Sequence, residues 1–71
     1  MNADNLEFVI FCIENTAKAL GINPENLYNI FSENSIIASY IVPNFDVLHT
    51  QGKEYIVNDL IEILKEKGIK I

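Results

Sequence analysis

The sequence predicts an all-α fold, a compact small helical domain of three main helices plus one or two short helical turns, with residues 1–71 as a single unit. Three observations predict it. Apolar residues recur at intervals of three and four in the first and last thirds of the chain, the repeat that gathers them on one side of a helix. Residues that open and close helices stand where that repeat starts and stops: Asn23-Pro24-Glu25 opens one segment, and Gly21-Ile22 and Gly68-Ile69 close two others. No linker, low-complexity tract or internal repeat divides the chain, so helices packed on helices are the expected architecture.

The first helix is expected over residues 5–20, with Asp4 or Asn5 accepting a hydrogen bond from the open amides of its first turn. Leu6, Val9, Ile10, Ile13, Ala17 and Leu20 make one apolar stripe along it. Phe8, Phe11 and Cys12 fall away from that stripe, which leaves the first half of the helix apolar nearly all round. These three residues form a candidate interface with another protein or a second copy of the chain. Gly21 supplies the left-handed residue that ends the helix, and Ile22 folds back on Ala17.

The second helix starts at Asn23-Pro24-Glu25. Asn caps, Pro takes the first helical position where no amide donor is needed, and Glu complements the helix dipole. Leu27, Ile30 and Phe31 are its buried face, and Ser32 to Asn34 break it. Asn34 or Ser35 then caps a third, short helix carrying Ile36, Ile37, Tyr40 and Ile41. Val42 precedes a proline and is as readily extended, Pro43-Asn44 reads as a turn, and Asp46 starts a single helical turn through His49.

The last helix covers residues 52–67, with Thr50 as its candidate cap. Ile56, Val57, Leu60, Ile61 and Leu64 give its core face, with Ile63 at the margin, and Glu54, Asp59, Glu62, Lys65 and Lys67 its exposed one. Gly68-Ile69 repeats the ending of the first helix, so that Ile69 reaches Leu64, and the tail Ile69-Lys70-Ile71 is apolar enough to dock.

Composition narrows the function. A chain this short buries only about 60% of the surface it exposes when unfolded; its 49% apolar content is enough for a helical core with some left for a partner. The charge is −5, and the five basic residues are all lysines, three of them near the C-terminus. A face that displaces counterions from phosphates is therefore missing, as is the arginine that reads guanine in two-point contacts. A helix-turn-helix regulator built on the two short helices is disfavoured on that ground, and no nucleic-acid partner is expected. The single Cys12 forms no internal disulfide, the first residues carry no basic stretch before their apolar run, and no apolar run approaches the length of a membrane span. A cytoplasmic protein with no membrane partner is expected.

Candidate chemistry concentrates in residues 40–55, which hold the only His, one of the two prolines and two of the three tyrosines. Asn44, Phe45, Asp46 and His49, with Thr50, Gln51 and Tyr55, form a candidate recognition loop, its apolar members docking it and its polar atoms facing outward. His49 three residues after Asp46 would be an oriented imidazole if the turn between them is helical. That pair motivates an alternative reading, a small ligand-binding or catalytic domain using His49 and Asp46. No nucleophile motif, phosphate loop or glycine-rich fingerprint completes such a site, so no catalytic residues are assigned. One His and one Cys fall short of the three or four ligands of a zinc centre, and Glu7 and Glu14 read as solvated charges. No metal and no cofactor are expected.

The segment Pro43-Asn-Phe-Asp-Val-Leu-His-Thr50, with Phe11-Cys-Ile-Glu-Asn15 upstream, resembles a family of small bacterial proteins grouped as a domain of unknown function, number 3791. The resemblance covers residues 6–68 and offers no catalytic residues to carry over. It implies a stand-alone protein encoded beside a second family that resembles ADP-ribosyltransferases, hence an antitoxin-like partner. Residues and resemblance together point to a non-enzymatic protein–protein interaction module, its partner another protein or a homo-oligomer. From the charge alone, a labelled DNA duplex titrated with the protein at low ionic strength should show no change in fluorescence anisotropy. Binding that weakens with added salt would reinstate the regulator.

Overall fold

A computed structural model describes residues 3–70. Helix α1 (Ala3–Leu20) is followed by α2 (Pro24–Glu33), a single π turn (Ile37–Ile41), the one-turn helix α3 (Phe45–Leu48) and α4 (Lys53–Glu66). Among the described residues there is no strand. The all-α expectation of three main helices plus one or two short helical turns is met, with two such turns among the described residues. Its radius of gyration, 11.0 Å, is that of a compact chain of this length.

Helix α1 is the centre of the packing, in contact with α4 on one side and α2 on the other, while the π turn packs on α2. The core joins Val9, Cys12, Ile13 and Ala17 of α1 to Leu27 and Phe31 of α2 and to Ile56, Leu60 and Leu64 of α4, with Ile36 and Ile41 between them. Each such side chain removed from water contributes about 1.5–3 kcal/mol, which lets helices as short as α2 persist.

The buried face of α1 differs from the one periodicity predicts. Leu6 and Ile10, expected in the stripe, are 52% and 46% exposed, whereas Cys12, expected off it, is fully buried. The face that packs is Val9, Cys12, Ile13, Thr16 and Ala17. Thr16 explains the difference: a hydroxyl residue carries no apolar signal, so the repeat is read through Ile10 instead of through a turn that passes Thr16. Helix α1 is already helical at Ala3, which places Asp4 and Asn5 inside it rather than at its cap.

The ends expected from glycine are found. The amides of Ile22 and Ile69 reach back to the carbonyls of Ala17 and Leu64 at 3.0 and 2.9 Å, with Gly21 and Gly68 at φ of 71° and 72°. Ile22 and Ile69 both lie against the core; the expected docking of Ile71 falls outside the described residues. Asn23 caps α2 by accepting the Glu25 amide at 2.7 Å. Helix α2 continues through Ser32 and Glu33, where a break was expected, and ends at Asn34, whose side-chain amide donates to the Ile30 carbonyl at 2.9 Å. Ser35 at φ 60° then turns the chain.

After that turn the backbone takes a wider course than a standard short helix. The Val42 amide donates to the Ile37 carbonyl at 3.0 Å, five residues back, and Val42 is helical rather than extended. Pro43 supplies the reason. It has no amide to offer Ser39, and in an α-helix its ring would crowd that carbonyl. No side chain caps the π turn; the Ser35 carbonyl instead accepts from both the amide and the hydroxyl of Ser39. Helix α4 has Gly52 at its cap position and so no side-chain cap; Thr50, expected there, donates its hydroxyl to the Val47 carbonyl at 2.7 Å. Asp59, expected among the solvated charges of α4, is half-buried and accepts a hydrogen bond from the Tyr40 hydroxyl, tying the π turn to α4.

Thr16 Oγ1 is buried without a hydrogen-bond partner. An unsatisfied buried hydroxyl costs about 1–3 kcal/mol, and valine has nearly the same shape. Thr16→Val should therefore raise the thermal midpoint by about 4–8 °C per kcal/mol recovered, as followed by circular dichroism. A lower midpoint would show that the hydroxyl does have a partner.

Candidate functional site: an aromatic groove between α1 and α3

The two regions singled out in the sequence meet in space. Helix α3 brings Phe45 edge-on to Phe8 of α1, with ring centroids 5.4 Å apart and planes at 80°. Phe8 in turn lies near-parallel to Phe11 at 6.2 Å, and Phe45 stacks on His49 at 4.5 Å with an interplanar angle of 8°. The four rings make a continuous series, Phe11–Phe8–Phe45–His49, within an open groove of about 590 Å³. Ile56, Gln51 and the carboxylate-bearing residues Asp4 and Glu7 complete the lining.

Local sequence explains how these side chains arrive there. Asp4, Glu7, Phe8 and Phe11 follow one another at helical spacing along a single face of α1, away from the face buried against α2 and α4. Phe45 and His49 are four apart across the turn of α3, which stacks one ring over the other. His49 Nδ1 lies 2.6 Å from the Phe45 carbonyl. A carbonyl oxygen only accepts, so Nδ1 carries the proton, and in the neutral ring Nε2 is left as an acceptor edge. The imidazole is thus oriented by Phe45, through ring and carbonyl, and not by Asp46 as the sequence suggested.

The candidate residues divide accordingly. Phe8, Phe11, Phe45, His49 and Gln51 line the groove, whereas Asn44, Asp46, Thr50 and Tyr55 do not. Asn44 donates to the Tyr40 carbonyl at 2.8 Å and Thr50 to that of Val47, so these two polar side chains hold the loop to itself. Asp46 and Tyr55 are exposed outside it. Cys12 is removed from the candidate interface: it is fully buried in the core, about 100° around the helix from Phe11. Asp4 and Glu7 were missed, although their spacing to Phe8 and Phe11 was a readable signal.

Two other concavities are smaller. Asn15, Lys18, Ala19, Lys53, Glu54, Val57 and Asn58 line one of about 350 Å³. Another, of about 290 Å³, lies beside the exposed Leu6 and Tyr28. Among the described residues no group of three His, Cys, Asp or Glu side chains could hold a metal ion, and no helix is long and apolar enough to cross a membrane.

Compared with known proteins, residues 7–67 match the family described as protein of unknown function (DUF3791), a span that takes in α1 from Glu7, the other helical elements and every groove residue but Asp4. No curated protein and no solved structure matches the chain.

Burial pushes the Cys12 thiol from 9.0 up to about 12. Folding raises this pKa, so the thiol's contribution to stability is complete below about pH 9 and is lost as the pH climbs toward 12. The thiolate is the reactive form. At pH 8, a disulfide thiol reagent should react slowly with the native protein and at least about a hundredfold faster in denaturant. Equal rates in the two states would place Cys12 at the surface.

Proposed function

The chain belongs to the DUF3791 family, and on that premise we propose that it is a protein–protein interaction module that receives its partner in the groove between α1 and α3. The observation that carries this reading is the aromatic series Phe11–Phe8–Phe45–His49, set on the flank of α1 opposite the packed face and open to solvent. Phe11 is 37% exposed, and His49 is exposed as well. Aromatic rings are rigid and supply much contact area at small entropic cost, which is why they anchor interfaces. In an 8.1 kDa chain with a small core, such rings left at the surface are best explained by a partner that covers them.

The resemblance described above names the first partner to try, the ADP-ribosyltransferase-like protein encoded alongside, toward which this chain would act as an antitoxin-like subunit in the cytoplasm. The alternative of a ligand-binding or catalytic centre on His49 and Asp46 keeps a concavity at His49 but is disfavoured, since the imidazole is held by Phe45 and Asp46 lies outside the groove lining. The regulator alternative is disfavoured by the net charge of −5 and the lack of arginine.

Co-expression with the neighbouring gene product should give a complex that co-elutes on size exclusion. Phe11→Ala, which removes an exposed ring, should weaken it by about tenfold or more while leaving helicity unchanged. A complex indifferent to Phe11→Ala and Phe45→Ala would place the interface elsewhere, and a chain that stays alone would remove the module reading.

A further inference from the structure

Resting on the interaction reading, the groove's charge says what kind of segment fits it. Its floor is aromatic, and the charged residues of its lining are Asp4 and Glu7, both acidic and both exposed. They stand on the same face of α1 as Phe8 and Phe11, one turn nearer the N-terminus, so the carboxylates border the rings instead of lying across the molecule from them. The chain as a whole carries −5, so the field beyond the groove has the same sign. At the far end, His49 presents a flat exposed ring whose Nε2 edge accepts a hydrogen bond when the ring is neutral.

We propose that this groove binds an arginine-bearing segment of a different polypeptide, the guanidinium plane lying on the Phe11 or His49 ring and its N–H groups directed at the carboxylates of Glu7 and Asp4. Three parts of the geometry call for guanidinium in particular. It is planar and stacks on an aromatic face, which an ammonium group does less well. It presents several donors in a fork that matches a carboxylate and still has one for an imidazole nitrogen. It is also more weakly hydrated than ammonium, so moving it onto an apolar floor costs less. The apolar side chains flanking the arginine would cover Phe8, Phe45 and Ile56, the less exposed part of the lining. A second copy of this chain is a poor occupant, since it has no arginine and carries the same net charge. A neutral apolar helix would leave the two carboxylates beside a desolvated surface without a counter-charge.

The test uses the full chain and a defined probe. A short peptide alternating leucine and arginine is titrated into isotope-labelled protein, beside the same peptide with citrulline, the uncharged isostere, in place of arginine. Shifts should concentrate on the amides of Glu7, Phe8, Phe11, Phe45 and His49. Affinity should fall about tenfold with citrulline, and comparably in Glu7→Gln and Phe11→Ala, two exposed positions whose substitution leaves the core untouched. Equal binding of the citrulline peptide, shifts centred on Glu62 and Glu66, or no shifts at all would overturn the proposal. So would self-association abolished by Phe11→Ala, which would make a second copy the occupant. The co-expression experiment separates the two levels. A complex lost in Phe11→Ala but indifferent to Glu7→Gln and to salt keeps the interaction module and removes the arginine; no complex at all removes the module.

Discussion

Everything in this molecule depends on α1 lying between α2 and α4 with one face fully dry. Val9, Cys12, Ile13, Thr16 and Ala17 are its buried residues, and the buried side chains of α2 and α4 join them, with Ile36 and Ile41, in one core. In a chain this small, no second core can compensate for a loss there. Burial of this face leaves the Thr16 hydroxyl without a hydrogen-bond partner and pushes the Cys12 thiol up to about 12. Fixing this face also fixes what points the other way. Because residues 9, 12, 13, 16 and 17 are turned inward, residues 4, 7, 8 and 11 are turned toward α3 and solvent.

The second constraint is Pro43. By denying an α-helical hydrogen bond to Ser39, it widens the preceding turn into a π register and lets the chain re-enter a helix at Phe45. The Tyr40 hydroxyl bonded to Asp59 holds that turn to α4, and Leu48 of α3 is buried. The polar side chains around it mostly bond to backbone three or four residues away: Asn44 to Tyr40, His49 to Phe45 and Thr50 to Val47. Such bonds stiffen the connection and explain how Phe45 and His49 are presented in fixed geometry from a helix of only four residues. A rigid mount of this kind lowers the entropy lost when a partner docks.

Much of the fold was legible because it rests on local rules. Asn23-Pro24, Gly21-Ile22 and Gly68-Ile69 act through backbone geometry within a few residues, and each was found as expected. The rules that failed concern choices between neighbours. Thr50 had two carbonyl or amide partners within reach and took Val47, while Asp59 looked solvated until Tyr40 came across from the π turn. The candidate site was half legible. Phe8 and Phe11 stood off the core stripe and Phe45 and His49 belonged to the candidate loop, but nothing local says that two helices place them side by side. Asp4 and Glu7 were hidden by being ordinary charges on an ordinary helix.

The amino-acid sequence by itself determined that the chain is helical, where its glycine-closed and Asn23-capped helix ends lie, and that it is acidic and free of arginine. Those properties follow from spacing, capping residues and composition, all short-range or additive. Which side of α1 is core and which is groove was decided only in the tertiary structure. A helix apolar nearly all round has no preferred inward face of its own. Contact with α2 and α4 chose the face through Cys12 and Thr16 and left Phe11 and Glu7 outside, and the same contact left the remaining aromatic residues lining an open groove.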